Sequence, residues 1–228
     1  MKKTIGLLIV AALALSGCKM ENTSRVKQTQ LLGVITAIDA TTRIEVPGCN
    51  DFQDKSKPSR GLVEATELVL GVFPGAVYDE CKNENMKSVA IFTTPLEVGM
   101  MPPDGKQYEA KGVSLVRNGG GEVFFAVSKD IRGKITQTRN KAMTSDLALK
   151  VAIRFTNDTD KDITIFPHAI FVDGDPFAGL PRWGNNVVIK AGKPVTLTLS
   201  DIASEFAIQH GVAPIFTERL PSPEEVKK

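Results

Sequence analysis

The sequence predicts an α+β fold: a mixed N-terminal module with hairpins and a helix, then a C-terminal immunoglobulin-like β-sandwich module. Apolar residues recur at helical spacing from Leu62 to Phe73. Every odd position from Leu147 to Phe155 is apolar, which is the period of a strand with one buried face. Short apolar segments separated by turn sequences indicate further strands. These patterns leave open whether both modules form a single continuous domain.

The first seventeen residues have the pattern of a signal peptide. Lys2 and Lys3 precede an apolar segment, Ile5 to Leu15, which is much shorter than the about 20 residues that span a bilayer. Leu15-Ser16-Gly17-Cys18 resembles the lipobox of bacterial lipoproteins, in which Cys18 becomes the lipidated N-terminus. The alternative is an ordinary secretory signal, cleaved after Ala12-Leu13-Ala14.

The lipobox resemblance implies a membrane partner. In that family the cysteine thiol carries a diacylglyceryl group, and the new amine commonly receives a third chain such as palmitate. Each buried methylene contributes about 0.8 kcal/mol, so two or three chains hold a protein firmly on a membrane. Lys19 follows Cys18, where Asp is absent. The resemblance therefore implies the cell envelope, and the outer membrane if the source is Gram-negative.

The charge of the chain excludes one class of partner. The precursor has 28 basic and 26 acidic side chains, a net charge of +2. Removing residues 1–17 deletes Lys2 and Lys3 and no acid, which leaves 26 of each. A neutral mature chain gives no reason to expect nucleic acid or anionic lipid as a partner.

Two cysteines remain once Cys18 is acylated. Cys49 and Cys81 would lie in an oxidising compartment, where an even count predicts a disulfide. The alternative is two separate buried thiols. The sequence contains no C-x-x-C, which argues against a redox role.

The N-terminal elements are predicted from turn and capping residues. Residues 18–30 are expected to be the lipidated N-terminus and a flexible tether, followed by an α+β module over 31–128. Ser59 is a suitable N-cap for a helix that ends at Pro74-Gly75. Further expectations are a hairpin of Val77–Cys81 and Ser88–Thr94 around Lys82–Asn85, a second hairpin of Val113–Arg117 and Glu122–Val127 around Asn118-Gly119, and a connecting helix, residues 129–144, capped by Ser128.

The sandwich-like module is expected to cover residues 145–217 and to precede a flexible tail, 218–228. After the strand that ends at Phe155, the expected elements are a central strand Ile163–Val172, a hairpin of Val187–Ile189 and Val195–Leu199, a helix over 201–210 closed by Gly211, and a last strand Val212–Thr217.

Neither catalytic nor cofactor motifs emerge from the sequence, and no catalytic, cofactor or metal residue is assigned. His168 and His210 are the two histidines, and each is interpreted as structural. Asp158, Asp160 and Asp162 alternate as in a calcium loop, but Ile163 occupies the position that requires Gly, so we interpret them as a solvated turn.

Arg182 and Trp183 are the residues most suggestive of a partner contact. They lie in a loop that also contains Phe177 and Leu180, and these residue types are typical of binding hot spots. The alternative is that Trp183 caps the sandwich core. The basic connecting helix, with Lys129 and Arg132, is interpreted as a solvated face.

The whole chain resembles uncharacterised prophage-carried lipoproteins in its lipobox, its two-cysteine N-terminal part and its Asn157–Ile163 hairpin. The favoured function is a non-enzymatic envelope lipoprotein that binds or masks another envelope protein. The alternatives are a cell-wall or glycan hydrolase that uses carboxylates, and a structural envelope assembly factor.

Overall fold

A computed structural model describes residues 20–102, 108–142, 149–177 and 186–219, without the side chains of 141 and 142. These ranges contain four helices: α1 (Gln28–Leu32), α2 (Arg60–Val72), α3 (Lys129–Ala142) and α4 (Asp201–His210). They also contain thirteen strands: β1 (Met20–Lys27), β2 (Thr36–Val46), β3 (Val77–Glu84), β4 (Lys87–Met100), β5 (Val113–Arg117), β6 (Glu122–Val127), β7 (Leu149–Thr156), β8 (Ile163–Pro167), β9 (Ile170–Val172), β10 (Asp175–Phe177), β11 (Val187–Ile189), β12 (Pro194–Leu199) and β13 (Val212–Glu218).

The strands belong to one sheet in the order β10-β9-β12-β7-β1-β2-β4-β5-β6-β13-β8-β11, with β3 paired beside β4. Most neighbours are antiparallel, but β1 pairs with β7 and β4 with β5 in parallel. The fold is therefore α+β and mainly β, as the sequence predicts.

The sheet curls so that strands distant in its order face each other. Phe155 of β7 and Phe216 of β13 pack edge to face with ring centroids 5.7 Å apart. Both rings are fully buried, together with Phe92, Phe125 and Ile153. Five strands separate β7 from β13 in the order, so this contact requires the inner face to close around one core.

Helices α2, α3 and α4 begin where the sequence places them, and α4 ends at the predicted Gly211. The short helix α1 begins within the expected tether. Ser59 accepts a hydrogen bond from the N–H of Leu62 at the start of α2, and Ser128 accepts one from Ile131 at the start of α3. Gly211 ends α4 with φ +92°, which a residue with a Cβ rarely adopts. The Ser59, Ser128 and Gly211 predictions are confirmed.

The expected flexible tether over 18–30 is wrong from Met20 onward. Met20–Lys27 is β1, a central strand between β7 and β2. Its inward positions include the buried polar residues Asn22 and Ser24. Asn22 donates to Thr42 Oγ1 at 2.9 Å and to Thr94 Oγ1 at 3.1 Å, so this polar side chain is buried because neighbouring strands satisfy it.

A separate immunoglobulin-like sandwich over 145–217 is not confirmed. β7 pairs with β1 and β13 pairs with β6, so strands of both expected modules share one sheet. The flexible tail is expected to begin at residue 218, but Glu218 belongs to β13. Residues 220–228 lie outside the described part.

Local predictions fail where pairing is long-range. The expected central strand Ile163–Val172 is two strands, interrupted at His168 and Ala169, which has φ +48°. The expected 187–199 hairpin is wrong, because β11 pairs with β8 while β12 pairs with β7 and β9.

Two turns also differ from their predicted residues. The first hairpin turns at Asn85 and Met86, not at Lys82–Asn85, and both turn residues have positive φ. In the second hairpin the positive φ falls on Gly121 instead of Asn118-Gly119, because the Asn118 side chain accepts from the N–H groups of Gly120 and Glu122.

Candidate functional site

A cleft of about 620 Å³ lies where the outer face of β6 meets the beginning of α3 and the end of α4. This volume is within the range of small-ligand sites. Its lining consists of Met101, Tyr108, Glu109, Ala110, Asn118, Phe124, Ala126, Val127, Ser128, Lys129, Arg132, His210, Gly211 and Val212.

Backbone hydrogen bonds hold the walls of the cleft together. The N–H of Val127 donates to the carbonyl of Gly211 at 2.8 Å, which joins the end of β6 to the end of α4. The N–H of Ser128 donates to Gly112 at 2.8 Å. The left-handed Gly211 then turns the chain into β13, so the walls come from three segments of fixed geometry.

The floor of the cleft is apolar. Phe124 and Ala126 alternate with the core residues Val123, Phe125 and Val127, so their side chains face outward from the sheet. Met101 and Val212 add apolar surface at the sides. An apolar group of a ligand or partner could be buried here.

Tyr108 lines the cleft with its hydroxyl fixed below it. That hydroxyl donates to Glu97 Oε2 at 2.9 Å and lies 2.8 Å from Ser114 Oγ, which donates to the same carboxylate oxygen at 3.1 Å. Burial, together with the Glu97 carboxylate, raises the pKa of Tyr108 to about 12. The Tyr108 hydroxyl therefore stays protonated at neutral pH and has little capacity for acid–base catalysis. Its ring forms part of the wall of the cleft.

The rim of the cleft is mainly cationic. Lys129 and Arg132 come from the start of α3, where the helix dipole also favours negative charge. Arg132 Nη1 donates to the carbonyl of Gln209 at 3.0 Å, which fixes the guanidinium beside His210. Glu109 is the acidic residue of the lining. The cleft thus combines an apolar floor with cations suited to an acidic group.

The structure contains the predicted Cys49–Cys81 disulfide, with a Cα–Cα distance of 5.5 Å. Cys18, Arg182 and Trp183 lie outside the described residues. The disulfide lies between the loop after β2 and strand β3, away from the residues that line the cleft.

The two histidines have different surroundings. His168 Nε2 lies 2.8 Å from Thr217 Oγ1, and burial lowers the pKa of its imidazole. His210 lines the cleft and packs on Phe206 with ring centroids 4.4 Å apart. His168 thus has the structural contact expected of it, whereas His210 is part of the candidate site.

The aspartates of the predicted turn serve different local partners. Asp158 accepts from the N–H and the hydroxyl of Thr29, and Asp162 pairs with Lys190 at 2.7 Å. Within the described ranges, no group of three or more His, Cys, Asp or Glu side chains is placed to hold a metal ion.

Sequence reasoning missed most of the cleft. The basic start of α3 was visible in Lys129 and Arg132, but we interpreted that face as solvated. Tyr108 and Phe124 carry no local signal of a site. Their proximity to His210 depends on the pairing of β13 with β6, in which Val212 lies opposite Ala126.

The fold is a β-rich α+β domain with a cleft on its surface. The chain belongs to the family described as a domain of unknown function (DUF7424), which matches residues 20–224. No curated protein and no solved structure matches the chain. Among the described helices, none is long and apolar enough to cross a membrane.

Proposed function

We propose that this chain is the precursor of a bacterial envelope lipoprotein that binds another envelope protein through the cleft. The cleft carries the proposal, because its apolar floor and cationic rim suit a protein segment with an apolar side chain beside an acidic one. Lipid on Cys18 would hold the mature domain on a membrane, the outer membrane in a Gram-negative source. The Cys49–Cys81 disulfide is typical of exported proteins and supports this location.

The same cleft supports binding or masking better than hydrolysis. A glycosidase needs one carboxylic acid with a raised pKa. Glycoside hydrolysis also uses a pair of carboxyl groups, and among the described residues that line the cleft Glu109 is the single acid. The Glu97 carboxylate, which the lining residue Tyr108 contacts, already accepts hydrogen bonds from Tyr108 and Ser114. The resemblance to prophage-carried lipoproteins fits the masking of a surface protein.

A photocrosslinking experiment in intact cells tests the cleft. A photoreactive amino acid replaces Val212, which lines the cleft, or Val188, an exposed residue of β11 that serves as the control. We expect one protein adduct from position 212, absent from position 188 and reduced when Lys129→Glu is added. Equal adducts from both positions, or no effect of Lys129→Glu, would contradict the proposed site.

Labelling with an alkyne analogue of palmitate tests the anchor separately. The wild-type chain should be labelled and should sediment with membranes, whereas Cys18→Ala should be unlabelled and shift to the soluble fraction. A Cys18→Ala chain that stays equally membrane-bound would contradict the lipobox interpretation.

A further inference from the structure

The N-terminal end of β1 marks one end of the sheet. Met20 lies opposite Ile44, Ile44 opposite Ala90, and Ala90 opposite Cys81, so these four residues form one row across four strands. On the other side of β1, Met20 lies beside Leu149. We call this side of the protein the Met20 end.

Highly exposed apolar side chains concentrate at the Met20 end. Of the large hydrophobic side chains in the described ranges, four are exposed by more than three quarters: Met86 fully, Phe52 at 90%, Val34 at 86% and Ile202 at 78%. Exposed apolar side chains that gather on one side of a protein mark a contact with a membrane or a partner.

Three of these four residues lie at the Met20 end. Met86 is in the turn from β3 to β4. Lys87, the first residue of β4, precedes Ala90, so the turn lies beyond the row. Phe52 is in the loop that follows Val46, the last residue of β2, and Cys49 of this loop is bonded to Cys81, a member of the row. We call Phe52, Met86 and Ile202 the apolar trio.

Ile202 is placed by the pairing of β12 with β7. Thr198 lies opposite Ala152, and the same register brings the start of α4, at Asp201, level with Leu149 and therefore with Met20. Val34 is at the other end of the sheet, between α1 and β2, where Thr36 lies opposite Val98.

The proposed lipid anchor lies at the same end. Cys18 precedes Met20 by two residues, and two residues span at most about 7 Å. Because Met20 belongs to β1, only Lys19 would stand between an acylated Cys18 and the first described residue of the sheet. A lipid on Cys18 would therefore bring the Met20 end against the bilayer.

The charges around Phe52 suit a headgroup layer. Lys55 lies over the Phe52 ring at 5.4 Å from its centroid. In the same loop Asp51 accepts from the N–H groups of Gln53 and Asp54, and Asp54 pairs with Lys57 at 3.1 Å. The acids are thus engaged within the loop, while Lys55 accompanies the exposed aromatic ring toward lipid phosphates.

We propose that the apolar trio at the Met20 end inserts into the headgroup region of the membrane that carries the lipid anchor, so that the domain rests directly on the bilayer. This inference rests on the proposed acylation of Cys18. The surface expected to cover the trio is lipid, because the anchor position fixes a membrane beside it.

Photocrosslinking to lipid in the full-length chain tests the contact. A photoreactive amino acid replaces Phe52, Met86 or Ile202 in turn, and replaces Val34 as the matched control at the opposite end. All four positions are exposed, so folding is preserved, and an intact Cys49–Cys81 bond on a non-reducing gel verifies it. After illumination of cells, mass spectrometry should find phospholipid adducts at positions 52, 86 and 202 and none at position 34.

The outcomes separate this inference from the proposed function. An acylated chain with equal lipid adducts at 34 and 52, or with none at the trio, overturns the membrane contact and leaves the anchor intact. Protein adducts in place of lipid adducts at the trio also overturn it. A chain without acyl label refutes the anchor, whatever the adducts are.

Discussion

Arg117 of β5 and Glu218 of β13 form an ion pair, with Arg117 Nη2 3.0 Å from Glu218 Oε2 and side-chain exposures of only 6% and 15%. Gln28 of α1 donates to the same carboxylate oxygen at 3.1 Å. Glu218 therefore joins three segments that are far apart in the sequence.

Replacing Glu218 should destabilise the fold. Glu218→Gln preserves the shape of the side chain but leaves the Arg117 guanidinium without its counter-charge. Removing one partner of a buried pair costs about 3–5 kcal/mol, and we expect the lower end because Glu218 retains some exposure. Urea unfolding measures the change.

Glu67→Gln is the matched control for this substitution, because Glu67 is an exposed residue of α2. It should change the free energy of unfolding by less than about 0.5 kcal/mol. Equal urea midpoints for the Glu218 and Glu67 variants would show that the ion pair contributes nothing.

Removing the disulfide should also lower stability. Cys49 and Cys81 are separated by 32 positions, and closing a loop of that length stabilises a protein by about 3–4 kcal/mol in the chain-entropy model. The Cys49→Ala, Cys81→Ala double variant should unfold at lower urea concentration than the wild type. Reductant should lower the urea midpoint of the wild type and leave that of the double variant unchanged. A wild-type midpoint that reductant does not change would show that the bond does not stabilise the fold.

Local features of this fold were predictable, whereas its long-range pairing was not. Ser59, Ser128 and Gly211 act within one turn of their helices, so capping chemistry alone places them. The strand alternation of Val151, Ile153 and Phe155 is equally local, and their burial confirms it. These local signals predict most of the helices and strands, but they do not predict which strands pair with one another.

β1 was missed because its buried side chains are polar. Asn22 reads as tether in the sequence, yet its amide donates to Thr42 and to Thr94, which lie 20 and 72 residues away. Hydropathy carries no information about partners at such distances. The cleft was missed for the same reason, since its lining combines residues as far apart in the sequence as Tyr108 and His210.

Acid should weaken the fold through His168. Burial lowers the pKa of the His168 imidazole below its ordinary value of 6.5, so the unfolded chain binds the proton more strongly than the folded protein. Stability is therefore complete above about pH 6.5 and is lost as the pH falls from there toward the folded-state pKa. Melting temperature should drop as the pH falls below about 6.5.

The two histidines provide a control for this pH dependence. His168→Gln should flatten the fall in melting temperature, whereas His210→Gln, at the exposed end of α4, should preserve it. If the His168 variant loses as much stability on acidification as the wild type, another group is responsible.

Tyr108 should ionise only in strong alkali. Its pKa is raised from 10.0 to about 12, first because the ring is buried and then because Glu97 accepts its proton in a hydrogen bond. A folded-state pKa above the unfolded value means that this stabilising contribution is present below about pH 10 and is lost as the pH rises toward 12. Tyrosinate absorbance follows the titration directly, because the chain has only two tyrosines.

Tyr108→Phe separates the two tyrosine titrations. Burial also raises the pKa of Tyr78, so the variant should retain one late transition and lose the later one near pH 12. Denaturant should bring both tyrosines of the wild type to ordinary values near pH 10. A Tyr108 that titrates near pH 10 in the folded chain would mean that its hydroxyl is not held by Glu97 and Ser114. The cleft would then have a mobile wall, and the fixed shape on which the proposed binding site depends would be lost.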